Sequence, residues 1–177
     1  MRACLDLNVW VADILARRDG RAGSACQLIV NAVRGVEHDT PLQLVVSWGM
    51  LDRLQMVLTD KLGFEASTAG ELIEAITSYA EQGPSLTLGG AGVIPIHDRE
   101  DRHVLETAWA GRAAVLVTID FRGFLSAEAE VLVEARLAKL RRGDQTLFLV
   151  HPFTFAAWLR GEEVESLALT RHAATGP

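Results

Sequence analysis

Residues 5–11 read LDLNVWV, and this stretch decides the fold. An apolar run over residues 3–6 ends on Asp6, and a second apolar run starts at Val9, with Asn8 just before it. A short strand that stops at a carboxylate and passes directly into a helix is how a parallel α/β sheet begins. Four more runs of the same kind follow at residues 43–47, 93–96, 114–119 and 146–150. They are short, nearly continuous in apolar character and rich in Val, Leu and Ile, as strands covered on both faces are.

Helix-like segments separate these runs. Ser24, then CQLIVNAVR and Gly35, supplies an N-cap, an amphipathic run and a terminating glycine. Thr68 with Glu71 predicts a capping box for a helix that stops at Gly83. Ser126 is expected to open a charged helix ending in Lys139, Arg141 and Arg142 before Gly143, with cations at its negative dipole end. Pro152 suits the first turn of a last helix, PFTFAAWLR. Neither a repeat nor a linker interrupts the pattern, so one domain over residues 1–161 is expected, followed by a frayed tail over 162–177.

Composition narrows the function classes. The chain has 177 residues, 49% hydrophobic and 23% charged, enough to bury a core. Seventeen Lys and Arg against 23 Asp and Glu give a net charge of −6, which opposes bulk non-specific nucleic-acid binding and leaves only local basic patches to hold a polyanion. Arg17, Arg18 and Arg21, with Lys139, Arg141 and Arg142, read either as such rims or as solvated helix ends. Two cysteines, Cys4 and Cys26, both in apolar runs, exclude a disulfide scaffold and a four-ligand zinc site. Asp6 interrupts the first apolar run before it could act as a signal sequence, and no run approaches the roughly 20 residues of a membrane span, so a cytoplasmic protein is expected.

In an open parallel sheet, ligands bind beyond the carboxyl ends of the strands. Asp6 ends the first strand. It or Asn8 reads as a helix cap, and Asn8 could equally hold Asp6 by a hydrogen bond. HDREDRHVLETA follows the third expected strand; Asp98 suits the N-cap there, and Asp101, one turn in, can face the strand ends. Asp120 ends the fourth strand in VLVTID, two residues after Thr118. Carboxylates gathered in one pocket repel each other, and a hard divalent cation neutralises them, activates water and stabilises phosphoryl oxygens. No GxGxxG, P-loop or GxSxG motif is present. His97 and His103 flank the acidic helix start and read as packing or surface residues, while Trp10, Trp48, Trp109 and Trp158 read as core or interface. A phospho-accepting receiver-like domain would need a lysine near the end of the last strand, which residues 146–151 lack.

The order of these pieces resembles the PIN-domain nucleases, above all the small VapC-type toxins. LDLNVWV is similar to the family's opening LDTNV motif, with Leu7 where Thr or Ser is usual. VVSWGMLDRLQMVL resembles its second strand and helix, and HDREDRHVLETAWAGRAAVLVTID its aspartate-rich helix start and Thr-x-Asp strand end. LFLVHPFTFAAWL resembles the closing strand and Pro-led helix. The resemblance implies a three-layer α/β/α domain and Mg²⁺- or Mn²⁺-dependent cleavage of RNA. It also implies Asp6, Asp101 and Asp120 as catalytic, metal-binding acids, with Asp98, Asn8 and Thr118 as auxiliary residues. As partners it implies an antitoxin protein and, often, a homodimer.

One departure stands out. The family usually carries a glutamate on the helix after the second strand, just before a leucine; here Arg53 precedes Leu54, with Asp52 alongside. At about 100° per residue, Met50, Leu51, Leu54, Val57 and Leu58 gather on one buried face. That arrangement puts Arg53 on the flank and Asp52 nearly opposite the core. The sequence therefore leaves two functions in view: a metal-dependent ribonuclease, or a catalytically weakened PIN-like fold kept as an interaction module.

Overall fold

Asp6 does stop the first strand. In the computed structural model, which describes residues 1–36, 42–81, 86–87, 99–125 and 129–162, β1 spans Arg2–Leu5 and α1 (Leu7–Arg18) begins immediately after Asp6. Next come α2 (Ala25–Val33), β2 (Gln43–Ser47) and α3 (Trp48–Met56), which runs into a π turn over Val57–Lys61. They are followed by α4 (Ala66–Glu81), β3 (Leu86–Thr87), α5 (Arg99–Ala110) and β4 (Val115–Val117). The chain closes with β5 (Glu130–Val133), β6 (Leu137–Arg142), β7 (Gln145–Val150) and α6 (Pro152–Leu159).

The seven strands form one sheet in the order β3-β2-β1-β4-β7-β6-β5. The first five run parallel. From β1 the chain moves outward to β2 and β3, then crosses back to place β4 on the other side of β1. The strand order thus reverses between β1 and β4, and the crevice beyond their carboxyl ends is where such sheets take ligands. α2 packs against both α1 and α6, while α5 lies on β1, β2, β4 and β7, giving a three-layer α/β/α domain. Ala3, Cys4 and Leu5, Leu44, Val45 and Val46, and Leu116 and Val117 are buried, as expected of strands covered on both faces.

The parallel sheet carries an antiparallel edge that replaces an expected helix. Residues 130–142 form the β5–β6 hairpin, and β6 pairs antiparallel with β7 from Leu137↔Val150 to Arg142↔Gln145. Good helix formers (Glu, Ala, Leu, Lys, Arg) fill this stretch, but pairing with β7 and burial of Leu137, Ala138 and Leu140 outweigh their propensity. The turn Gly143–Asp144 starts with Gly143 at φ 60°, the conformation a II′ hairpin turn reserves for glycine.

Other boundaries move less. Ser24 caps α2 in a full capping box with Gln27, and His151 caps α6 with Pro152 in its first turn. α4 starts at Ala66, so Thr68 lies inside the helix rather than at its cap. Val57 is half-buried, whereas Met50, Leu51, Leu54 and Leu58 are core. Residues 93–96, Asp98, His97, Gly83, Ser126 and the tail from 163 lie outside the described residues; β3 pairs with β2 from residues 86–87.

Candidate active site

Asp6 is only 6% exposed and accepts three hydrogen bonds. Its Oδ1 takes the Leu7 N–H at 2.7 Å, which makes it the N-cap of α1. Its Oδ2 takes Asn8 Nδ2 at 2.5 Å and the Thr118 hydroxyl at 2.6 Å. The cap reading and the site reading of Asp6 therefore describe one arrangement, in which the cap fixes the carboxylate at the strand end. Asn8 also spans β1 and β4, donating to Thr118 Oγ1 at 3.1 Å and accepting the Ile119 N–H at 3.1 Å.

Thr118, fully buried, is the hub. It donates to Asp6 and accepts the Asp120 N–H at 3.0 Å, so one hydroxyl joins the two strand-end acids. Asp120 is exposed, and its Oδ1 accepts the Gly123 N–H at 3.3 Å. Asp101, half-buried in the first turn of α5, reaches the same place from the other side. A Cβ built on Gly123 would collide with Asp101 Oδ2 and lie 3.5 Å from Asp120 Oδ2. The missing side chain of Gly123 is what lets these two carboxylates share a cradle, and buried Phe121 and Phe124 pin the turn that carries it.

Burial pushes the Asp6 carboxyl above its ordinary value, and the charge of Asp120 adds to that push; the bonds from Thr118, Leu7 and Asn8 oppose it. Because the folded value is raised, the native state holds its proton more tightly than the unfolded chain does. Asp6 thus costs the metal-free protein stability as pH rises from near 3.8 through the raised folded value, and the cost stays in full above it. Urea unfolding of metal-free wild type and Asp6→Asn across pH 3–8 measures this. The stability of wild type relative to the variant should fall through that window, and a constant difference would contradict it.

His103 is half-buried and packs on Gly49, with Nε2 3.2 Å from the Oγ of buried Ser47, which also accepts the Thr107 hydroxyl at 3.0 Å. It is thus a packing residue that ties α5 to the start of α3. Arg53, one turn beyond Gly49, is half-buried on the same side of α3, whereas Asp52 is exposed. The basic rims lie elsewhere. Arg17 is paired with Asp13, and Arg18 and Arg21 with Asp19, at the far end of α1; Arg141 and Arg142 stand at the opposite end of the strands, level with Thr146 and Gln145 at the start of β7. Trp10 and Trp109 are core, while Trp48 and Trp158 are about half exposed. Both cysteines are free and buried, and burial raises the Cys26 thiol to about 11.

The PIN domain family model matches residues 2–122, from β1 through the turn that holds Asp120 and reaches Arg122. The chain belongs to the PIN domain family. No curated protein and no solved structure matches it. PIN domains are generally nucleases, and the matched segment holds Asp6, Asn8, Asp101, Thr118 and Asp120. The hairpin, β7 and α6 lie outside it.

The donors at this crevice are carboxylate oxygens, the kind a hard divalent cation takes. The described residues include no group of three or more His, Cys, Asp or Glu arranged to hold a metal ion. A cation here would therefore take one or two carboxylates directly, Asp101 and Asp120 beside Gly123, and reach Asp6, whose oxygens are already hydrogen-bonded, through water, a habit of Mg²⁺. Gly123 was not visible as a site residue from the sequence. Its signal is its place three residues after Asp120, between two phenylalanines.

Proposed function

We propose that this PIN domain is a metal-dependent endoribonuclease that hydrolyses RNA phosphodiester bonds with Mg²⁺ or Mn²⁺. The observation that carries the reading is the junction at β1 and β4: Thr118 joins Asp6 to Asp120, and Gly123 admits Asp101 beside Asp120. Asp6, Asp101 and Asp120 would hold the cation, which when bound supplies charge neutralisation and an activated water. The hydrogen bonds from Asn8 and Thr118 aim Asp6 and oppose the upward push of burial on its carboxyl, and Asp98 is the proposed auxiliary acid. The motif resemblance extends this reading to a toxin neutralised by an antitoxin and to a homodimeric state, and a cytoplasmic location is proposed with them.

Arg53 favours a second reading, an interaction module with weakened catalysis, because a cation stands where the family carries a glutamate. Cleavage of single-stranded RNA against Mn²⁺ concentration separates the two. Wild type should cleave, and Asp120→Asn should lose cleavage. Arg53→Glu changes the local charge by two units and should raise cleavage at low Mn²⁺, while Asp52→Ala should have little effect. No cleavage by wild type or Arg53→Glu would favour the module, and loss with Asp52→Ala would make Asp52 the working acid.

A further inference from the structure

At the carboxyl end of β7, the strand next to β4, a second cluster faces solvent. Thr118 N–H donates to Val150 O at 3.1 Å, which sets His151 level with the hub of the acid site. Neighbouring strands lie about 4.8 Å apart, so the cluster adjoins the crevice. Phe153 is 61% exposed, the most open of the exposed phenylalanine and tryptophan rings. The His151 ring stacks on it with centroids 5.3 Å apart and planes 29° apart. The Arg136 guanidinium, from the β5–β6 turn, stands 5.7 Å from the Phe153 centroid. Arg136 is exposed, and its backbone carbonyl accepts the His151 N–H at 2.9 Å, so the turn and the aromatic pair are held together. His151 Nδ1 accepts the Phe153 N–H at 3.3 Å, which in the neutral ring leaves the proton on Nε2, available to an acceptor.

An exposed apolar ring costs solubility and gains nothing for the core. Here it is braced by an imidazole and a guanidinium, beside the acids that would cut a phosphodiester. Aromatic faces with adjacent cations are what unstacked bases and their phosphates bind. We propose that Phe153, His151 and Arg136 form a subsite for the nucleobase and phosphate next to the scissile bond of a single-stranded RNA. Phe153 supplies the stacking face, and Arg136 and His151 Nε2 supply donors to the phosphate. This rests on the nuclease reading and adds to it a base-stacking and phosphate-binding subsite built outside the segment that the family model matches. A base in a duplex has no free face to offer, so a strand must be unpaired to occupy the subsite. The hairpin that brings Arg136 here lies beyond the part of the chain shared with the family model.

The test is binding of fluorescein-labelled oligouridylate in EDTA, read by anisotropy, with cleavage in Mn²⁺ measured separately. Phe153→Ala should weaken binding by about fivefold to a hundredfold, the loss of one base–aromatic stack. Phe153→Trp should restore it. Arg136→Ala should weaken binding and flatten its salt dependence. Probes with one abasic position should weaken wild type at a single position and leave Phe153→Ala unaffected there. If Phe153→Ala binds as wild type does while wild type cleaves through Asp120, the subsite is wrong and the nuclease stands. If Phe153→Ala instead changes the sedimenting mass and not RNA binding, the ring serves a contact between copies of this chain, and the subsite is overturned. If wild type neither binds nor cleaves the single strand, the nuclease reading fails and the subsite with it.

Discussion

Thr118→Val should destabilise the protein by about 3 kcal/mol, although valine fills almost the same space. The size follows from the three hydrogen bonds that meet on one buried hydroxyl: donation to Asp6 Oδ2, and acceptance from Asn8 Nδ2 and the Asp120 N–H. Of the three partners Asp6 is the buried and charged one, and taking a hydrogen bond from such a group costs about 1–3 kcal/mol or more. No cavity forms, so the loss is polar in origin. The Asp6 carboxyl, already raised by burial, would lose the bond that does most to lower it and rise further. Thr118→Ser keeps the hydroxyl and should recover most of the stability. Urea midpoints at constant m measure both. A valine variant within about 0.5 kcal/mol of wild type would mean that the hub carries no energy. RNA cleavage by Thr118→Val should fall together with its stability, because the same hydroxyl sets the spacing of Asp6 and Asp120.

The strand ends were legible in the sequence because a parallel sheet reduces the problem to a simple form. A strand buried on both faces must be apolar, so the first polar residue after it marks its carboxyl end. Asp6 was readable for that reason; the fourth strand stops at Val117 rather than at residue 119, so its first polar residue is Thr118, with Asp120 two residues beyond, and the switch between β1 and β4 then brings Asp6 and Asp120 near one another. The β5–β6 hairpin was not readable from propensity. Residues 130–142 are rich in helix formers, and the pairing that makes them strands is supplied by β7, later in the chain. Gly143 followed by Asp144 is a hairpin signal in its own right, and read as such it would have outweighed the Lys and Arg at an imagined helix end. Arg141 and Arg142 were misplaced by the same error, since on a strand they lie at the amino end of β7, away from the acids. Arg136, in the first hairpin turn, is carried to the carboxyl end.

Gly123→Ala should leave the fold nearly intact and sharply weaken the response to metal. The φ of Gly123 is not in the left-handed region, so alanine brings no backbone strain there. What it brings is a methyl group where Asp101 Oδ2 now lies, with Asp120 Oδ2 3.5 Å from the same point. Phe121 and Phe124, buried on either side, keep the turn from retreating, so the Asp101 carboxylate must move instead. A misplacement of about 1 Å among positioned groups can cost about a hundredfold in rate, and a fall of that order in RNA cleavage is expected. Stability gives the independent measurement. At about 100 times its dissociation constant, Mn²⁺ bound only to the native state would stabilise wild type by about 2.7 kcal/mol. Gly123→Ala should melt close to wild type without metal and gain much less when Mn²⁺ is added. An equal gain in both proteins would show that Asp101 and Asp120 do not act together on the ion. A variant that cleaves normally would show that Asp101 is not needed where the structure puts it.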